Sequence, residues 1–211
     1  MFSAGYLSRG AISIGDHYYS RNPISERDKR EFSTDIRGRT LTFTTDASVF
    51  SKKGVDYGTR LLIEALPLPL EGDVLDLGCG YGPIGIAVAL WSPRSRVVMA
   101  DVNRRALELC RHNAKRNGVE QVTVLESDGL KALEHLSFDW VVTNPPIRAG
   151  KRVVYRLFEE TRTHLRESGQ FWLVIQKKQG APSAIKKLQS LFSDVTVAVR
   201  SKGYAVIRCR N

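Results

Sequence analysis

One stretch of the chain decides its fold: Asp73-Val74-Leu75-Asp76-Leu77-Gly78-Cys79-Gly80-Tyr81-Gly82-Pro83-Ile84-Gly85. A short apolar run leads into a glycine-rich turn, and an apolar helical pattern follows over residues 83–91. Gly80, Gly82 and Gly85 have the G-x-G-x-x-G spacing, which is informative only between a strand and a helix. Both neighbours are present here. The stretch therefore predicts the first strand of an open α/β sheet, with a ligand-binding loop at its carboxyl end.

Alternating strand and helix patterns continue from this stretch to the end of the chain. We predict further strands over residues 96–100, 122–125, 138–143 and 170–175, and helices over residues 103–116, 151–165 and 184–191. Residues 195–199 and 204–208, joined across Lys202-Gly203, predict a closing hairpin. The expected fold is a doubly wound, Rossmann-like α/β sheet of seven strands with the last strand antiparallel.

The residues ahead of this sheet predict a small appendage over 17–66. Residues 31–36 and 40–44 flank Arg37-Gly38-Arg39 as in a hairpin, and residues 55–66 have a helical pattern before Pro67. Residues 1–16 have little periodicity, and we expect a mobile extension there. The domain that carries the sheet then covers residues 67–211.

Composition limits the class of protein. The chain has 211 residues and 42% hydrophobic content, enough for one substantial core. It lacks a run of roughly 18 apolar residues and a recognisable secretion signal. We therefore expect a cytoplasmic protein with no membrane partner. Cys79, Cys110 and Cys209 have no paired spacing, which argues against both a disulfide framework and a metal site.

The net charge of +10 is concentrated towards the C-terminal end. Residues 148–211 carry 14 Lys/Arg against 4 Asp/Glu, whereas residues 56–147 carry 9 against 12. A localised basic excess indicates a polyanionic partner such as RNA, although a solvated surface without a partner is the alternative. The candidate RNA-binding residues are Arg148, Lys151, Arg152, Lys177, Lys178, Lys186 and Lys187.

Acidic residues lie at or close to the carboxyl ends of three predicted strands. Asp76 lies inside the glycine-rich motif and suits an amino-bearing or cationic ligand better than a pyrophosphate, which favours S-adenosylmethionine over NAD. Asp101 can accept both ribose hydroxyls, or it can cap the next helix. Asp128 can accept an adenine amine, or it can serve as a turn residue. Cys79 is expected to line the loop rather than act as a nucleophile. The predicted cofactor-binding residues are Asp76, Gly78, Cys79, Gly80, Tyr81, Gly82, Asp101, Val102, Asp128, Gly129 and Asn144.

The segment Asn144-Pro145-Pro146-Ile147 follows the fourth strand. Proline fixes φ, removes a donor and restricts the residue before it, so the segment is stiff, extended and rich in acceptors. The Asn144 side-chain oxygen and the Pro145 carbonyl can each accept one hydrogen from a planar amine. We predict these four residues as the catalytic segment, with an ordinary loop as the alternative.

Taken together, these motifs resemble those of class I S-adenosylmethionine-dependent methyltransferases. Asp76-Leu77-Gly78-Cys79-Gly80 resembles motif I, Asp101 resembles the acidic ribose position, and residues 144–147 resemble motif IV of amino-group methyltransferases. Residues 42–51, 56–62, 144–151 and 176–183 are similar to the single-domain bacterial relatives of the small-subunit (16S) ribosomal RNA guanine-N2 methyltransferases. The resemblance covers residues 17–211. Ile147 departs from it, because many amino-methyltransferases have an aromatic residue there.

The resemblance implies methyl transfer to the exocyclic N2 amine of a guanine in small-subunit ribosomal RNA, with the RNA or the small subunit as partner. Phe50 and Asp56 are expected to cover the cofactor, or in the case of Phe50 to pack in the core. A protein glutamine or an adenine amine is an alternative acceptor. A non-catalytic RNA-binding assembly factor is a rival of another class. We expect a monomer.

Overall fold

The computed structural model describes residues 28–46 and 54–211. A seven-stranded sheet forms the centre of this part of the chain, in the order β5-β4-β3-β6-β7-β9-β8. Its strands are β3 (Asp73–Leu77), β4 (Arg96–Asp101), β5 (Val122–Glu126), β6 (Phe138–Thr143), β7 (Leu165–Gln176), β8 (Asp194–Ser201) and β9 (Tyr204–Arg210). Only β9 runs against its neighbours, because it pairs antiparallel with both β7 and β8. The predicted seven-stranded sheet with an antiparallel last strand is therefore confirmed, and that strand lies second from the edge.

Helices cover both faces of the sheet, as in a doubly wound fold. They are α1 (Tyr57–Ala65), α2 (Pro83–Trp91), α3 (Arg104–Arg116), α4 (Lys151–His164) and α5 (Ala181–Gln189). The first three pack on one face and the last two on the other, and each face has its own buried apolar cluster. Successive strand residues separate accordingly, with Val74 in one cluster and Leu75 in the other. The inner strand β3 is therefore apolar on both sides, as expected of a buried parallel sheet, whereas the edge strand β8 exposes Thr196, Ala198 and Arg200.

Two of the predicted elements begin three or more residues earlier than expected. Strand β7 starts at Leu165 rather than at residue 170, because Leu165, which the predicted helix over residues 151–165 included, pairs with Phe138 of β6. Arg166 then forms ion pairs with Asp73 and Asp139 at the lower end of the sheet. Helix α5 starts at Ala181 because Pro182 fits the first turn of a helix, where its missing N–H is not needed.

The predicted N-terminal hairpin consists of β1 (Arg30–Ile36) and β2 (Arg39–Thr45). Its turn residues Arg37 and Gly38 have φ of 47° and 76°, as a tight two-residue hairpin turn requires. The hairpin packs into the same apolar cluster as α1, α2 and α3. The appendage thus shares the core of the sheet domain. The predicted extension over residues 1–16 and the predicted role of Phe50 lie outside the described residues.

Asn113 of α3 and Asn117, the C-cap residue of the same helix, hold the edge of β2. Asn113 Oδ1 accepts from Thr44 N at 2.8 Å and its Nδ2 donates to Thr44 O at 2.9 Å. One helical turn later, Asn117 makes the same pair of bonds with Thr42, at 3.0 and 2.8 Å. The two side-chain amides therefore pair with the backbone of β2 as a neighbouring strand would, and satisfy polar groups that the edge would otherwise leave open.

Candidate functional site

A cleft opens at the carboxyl ends of the parallel strands, where open α/β sheets bind their ligands. Its free space is about 880 Å³, open solvent at its mouth included, which suits a ligand of nucleoside size. The walls come from the ends of four strands and from the start of α1. The lining includes Asp56, Thr59, Leu77, Gly78, Cys79, Gly80, Tyr81, Asp101, Val102, Ser127, Gly129, Asn144, Pro145 and Pro146.

The glycine-rich loop after β3 forms the floor of the cleft. Gly78 and Gly80 have φ of 72° and 57°, and a Cβ added to either would meet no atom within 4 Å. Glycine is needed here for the backbone conformation, and its missing side chain leaves room for a ligand close to the backbone. The loop is held by its own N–H groups: those of Gly78 and Cys79 donate to Ala100 O at 2.8 and 3.0 Å.

Asp101 connects this loop with the end of β4. One carboxylate oxygen accepts from Gly80 N at 2.8 Å and the other accepts from Asn103 N at 2.8 Å. The helix N-cap is Asn103, whose side chain accepts from Ala106 N, so Asp101 does not have that role. Burial raises the pKa of the Asp101 carboxyl, against the lowering effect of these N–H donors. Val102 N also interacts with this carboxylate, which keeps lone-pair capacity for a ligand hydroxyl.

Asp76 lies below the loop and is not among the residues that line the cleft. It is 1% exposed, and its Oδ2 accepts from Gly85 N at 2.8 Å, which ties the end of β3 to the first turn of α2. Its Oδ1 is buried without a hydrogen-bond partner. Burial raises the pKa of Asp76 to about 7. The predicted direct contact of Asp76 with a ligand thus has no support in the lining of the cleft.

Asp128 is similarly separated from the cleft, which is lined by the flanking Ser127 and Gly129. Its carboxylate is paired with Lys131 at 2.8 Å and with Arg156 of α4 at 2.6 Å. Hydrogen bonds to these two cations lower the pKa of Asp128 to about 2. Asp128 therefore anchors the loop after β5 to α4 in this structure.

A second residue of α4 holds the same loop. Glu160 Oε2 accepts from Leu130 N at 3.0 Å, and its Oε1 pairs with Arg156 at 3.1 Å. The backbone at Ser127 and Gly129, which forms part of the cleft wall, is thus fixed from behind by α4.

Asn144 lies at the end of β6 with its amide nitrogen engaged. Nδ2 donates to Thr59 Oγ1 at 2.9 Å and approaches Asp56 Oδ1 at 3.4 Å. Asp56 is itself fixed as the N-cap of α1, where it accepts from Gly58 N and Thr59 N. Because the nitrogen is bound on this side, the amide is oriented and its Oδ1 is the group left to accept from a ligand.

The following residues form a tight turn. Pro146 has φ −75° and ψ 73°, the geometry of an inverse γ-turn, and Ile147 N donates to Pro145 O at 2.8 Å. The Pro145 carbonyl thus has one lone pair in use and one available. Pro145 and Pro146 line the cleft, whereas Ile147 packs against the apolar cluster under α4 and α5.

Two further predicted cofactor-binding residues, Cys79 and Gly82, belong to the glycine-rich loop after β3. Cys79 is 4% exposed and lines the cleft, and burial raises the pKa of its thiol well above the usual value, which makes it a poor nucleophile. Gly82 is the N-cap residue of α2 and does not itself line the cleft.

Comparison with known proteins identifies the family. The family model described as methyltransferase small domain matches residues 40–208. The chain belongs to this methyltransferase family. Membership confirms the predicted S-adenosylmethionine-dependent methyltransferase class and its cofactor.

This chain is also similar to individual known proteins. The Bacillus subtilis protein YbxB, described as uncharacterized, is 47% identical over 93% of this chain and 99% of its own length. Ribosomal RNA large subunit methyltransferase G of Photobacterium profundum is 30% identical over 82% of this chain and 47% of its own length. The structure of the T. thermophilus 16S rRNA N2 methyltransferase RsmC with AdoMet and guanosine superposes with a TM-score of 0.79 at 28% identity, over 90% of this chain and 52% of that one. The chain spans about half the length of these two larger relatives.

The cleft of this methyltransferase fits the cofactor of its family. The Asp101 carboxylate suits the ribose hydroxyls, the open glycine loop suits close backbone approach, and apolar residues such as Ala106 and Leu157 contribute to the remaining wall. Among the described residues, no group of His, Cys, Asp and Glu side chains could hold a metal ion. In the same part of the chain, no helix is long and apolar enough to cross a membrane.

The predicted RNA-binding residues fall into two groups. Arg148, Lys151 and Arg152 follow the turn at Pro146, and Lys177 and Lys178 follow β7, so all five lie at the edge that carries the cleft, and all are exposed. Lys186 and Lys187 lie further along α5, and Lys187 is paired with Glu159 at 2.5 Å. The structure thus brings the first group beside the cleft and leaves the second group away from it.

Sequence reasoning missed two residues that organise the site. Thr59 holds the Asn144 amide, and Asn113 donates to Tyr81 O at 2.9 Å while it pairs with β2. A sequence signal existed for Thr59, because it follows the N-cap Asp56 by three residues and is on the same helical turn. No local pattern distinguishes Asn113 from any other polar helix residue.

Proposed function

We propose that this protein is a ribosomal RNA methyltransferase that transfers a methyl group to the exocyclic N2 amine of a guanine in small-subunit rRNA. One observation carries the proposal: the Asn144 amide is held at its nitrogen by Thr59 and lies in the cleft beside the cofactor loop. This arrangement presents an oxygen acceptor to an incoming amine. A donor at the same position would not recognise an NH2 group.

The guanine must first leave the RNA stack, since its N2 amine cannot reach the floor of a cleft while it is stacked and paired. In the cleft, Asn144 Oδ1 accepts one N2 hydrogen and the free lone pair of Pro145 O accepts the other. These two contacts orient the nitrogen lone pair, which otherwise delocalises into the ring. When bound, S-adenosylmethionine supplies an electrophilic methyl group on a sulfonium.

Positioning accounts for most of the expected catalysis. The new N–C bond forms as the S–C bond breaks, and the methylated amine then carries a positive charge and readily loses one proton to solvent. No strong base is required for this step. The surroundings of Asn144 are consistent with a reaction that needs no strong base. Of the two groups that face it, Thr59 holds its amide and Asp56 caps α1.

The proposed cofactor contacts follow from the cleft. Asp101 accepts the ribose hydroxyls, the loop of Gly78, Cys79 and Gly80 lies along the ligand, and Val102, Ser127 and Gly129 enclose the adenine side. Asp76 and Asp128 act from outside the cleft, by fixing α2 and α4 to the loops that carry these contacts.

The proposal of guanine as the target base and of small-subunit rRNA as the substrate is based on what the similar proteins are described as modifying. RsmC is described as a 16S rRNA N2 methyltransferase, and its structure contains guanosine. Methyltransferase G is described as acting on the large subunit, so relatives of this chain differ in their target RNA. The basic C-terminal segment of this chain supports a polyanionic substrate over a protein glutamine.

The decisive experiment maps N2-methylguanosine in ribosomal RNA from cells with and without this protein. Loss of one modified guanine in the small subunit, restored by the wild-type chain and not by Asn144→Ala, supports the proposal. The purified Asn144→Ala variant should retain S-adenosylmethionine affinity within about twofold and lose at least roughly 100-fold in transfer rate. Unchanged methylation of every rRNA position would refute the assigned substrate, and full activity of the variant would refute the role of Asn144.

A further inference from the structure

A cluster of two tyrosines and a lysine lies at the turn between β8 and β9. The rings of Tyr57 and Tyr204 have centroids 5.6 Å apart and are tilted by 52°. Lys202 Nζ lies 4.9 Å from the centre of the Tyr57 ring, and the Tyr57 hydroxyl is 2.7 Å from Ser201 Oγ. Lys202 is exposed and both tyrosines are half-buried. We call Tyr57, Tyr204 and Lys202 the tyrosine patch.

The tyrosine patch adjoins the wall of the cleft. Tyr57 directly follows Asp56, which lines the cleft. A Cβ added at Gly58 would lie 2.9 Å from Tyr204 Cε1 and 3.2 Å from Asp56 Oδ1, so the Tyr204 ring packs directly behind this wall. Glycine at position 58 permits the close approach.

The order of strands separates the patch from the cofactor side. Asp101 and Ser127 lie at the ends of β4 and β5, on one side of Asn144, whereas the patch lies beyond β7 on the other side. Lys177 N donates to Gly203 O at 2.7 Å, which joins the turn of the patch to the basic residues after β7. A chain that enters the cleft from this side therefore meets aromatic rings and cations together.

We propose that the tyrosine patch binds the nucleotide next to the target base in single-stranded RNA, with the flanking base stacked on the tyrosines and its phosphate beside Lys202 and Lys177. The proposal rests on the proposed function, because it takes RNA as the substrate. Stacked bases and regularly spaced phosphates match an arrangement of aromatic faces and cations. The patch would supply part of the energy needed to keep the target base extruded.

The test measures binding of a fluorescein-labelled, single-stranded RNA of about 12 nucleotides with one central guanine, by fluorescence anisotropy at several salt concentrations. Tyr204→Leu removes the ring and keeps an apolar side chain, and we expect its dissociation constant to rise by about tenfold. Lys202→Asn tolerates the positive φ of this position, and should lower the dependence of log affinity on log salt by roughly 0.7.

Two control variants accompany these. Tyr57→Phe keeps the ring and removes only the hydroxyl contact with Ser201, so its affinity should stay within about twofold of wild type. Lys115→Gln removes an exposed charge in the last turn of α3, at the edge of the sheet opposite the cleft, and should have the same small effect. Titration of each variant with S-adenosylmethionine establishes that the fold and the cofactor side are intact.

The outcomes separate the two proposals. If Tyr204→Leu and Lys202→Asn bind S-adenosylmethionine normally and bind the RNA as tightly as wild type does, the role of the patch is overturned. The proposed guanine methylation is unaffected by that result. If these variants bind RNA more weakly, the role of the patch is supported. If the wild-type protein at the same time produces no N2-methylguanosine in ribosomal RNA, the proposed function is overturned. Absence of RNA binding by the wild-type chain overturns the patch as an RNA surface and favours a protein substrate.

Discussion

Replacing the buried Asp76 by Asn should change how the stability of the ligand-free protein depends on pH. The carboxyl is 1% exposed, one of its oxygens has no partner, and burial raises its pKa from 3.8 to about 7. Between these two values the native state keeps a proton that the unfolded chain has released. Stability in wild type therefore falls as the pH rises through this window, and it levels off above about pH 7.

The size of the effect follows from the shift in pKa. Each unit corresponds to about 1.4 kcal/mol, so the raised pKa destabilises the native state by about 4 kcal/mol at pH 8, where the carboxyl is ionised, and by about 2 kcal/mol at pH 5, where only the unfolded chain has released the proton. Asn keeps an acceptor for Gly85 N and removes the titration. Its NH2 group lacks a partner where Oδ1 now lies, at a cost of about 1–3 kcal/mol that does not depend on pH.

Urea unfolding of both proteins at pH 5, 6.5 and 8 measures this difference directly. The free energy of unfolding of Asp76→Asn relative to wild type should increase by about 2–3 kcal/mol from pH 5 to pH 8. Other carboxyls, including Asp101, are present in both proteins, so their contributions to the pH dependence of stability cancel to first order in the difference. A relative stability that stays constant within about 0.5 kcal/mol over this range would show that Asp76 is ionised throughout and that the reasoning from burial is wrong.

Three further substitutions test how the site is held. Thr59→Ala removes the acceptor for Asn144 Nδ2, and should lower the methyl-transfer rate by about tenfold with unchanged cofactor affinity. Thr59→Ser keeps the hydroxyl and should retain activity. A normal rate of Thr59→Ala in single-turnover kinetics would contradict this prediction. Asn113→Ala leaves the backbone of β2 and Tyr81 O without their partners, and should lower the free energy of unfolding in urea by about 2–4 kcal/mol. A decrease of less than about 1 kcal/mol would be evidence against a structural role of Asn113. Glu160→Ala frees Leu130 N, and calorimetry should detect S-adenosylmethionine binding weakened by about fivefold, with Glu160→Gln close to wild type.

The fold was predictable because its information is local. Each strand is a short apolar run, each helix has its own apolar pattern, and the glycine-rich motif marks where the first strand ends. Since parallel strands end at the same edge, the amino-acid sequence alone suffices to place Asp101 and Asn144 together with the loop.

The site was less predictable where side chains depend on distant partners. All three aspartates lie at or close to the carboxyl ends of strands, yet Asp76 points below the loop to Gly85 N and Asp128 pairs with Arg156. The choice between ligand and protein partner depends on α2 and α4, and residue spacing does not encode it. Thr59 and Asn144 are likewise separated by 85 positions. Such contacts become visible only when the packing of the helices is known.

The reversal of β9 has a practical consequence for experiments on this protein. Strand β9 starts at the edge that carries the cleft and runs away from it, so residue 211 lies at the far edge, where Asn211 Nδ2 donates to Arg166 O at 3.3 Å. A biotin or an affinity handle attached there would point away from the mouth of the cleft. Chains immobilised through this residue on a sensor surface would face the solution with the cleft unobstructed, ready for titration with RNA.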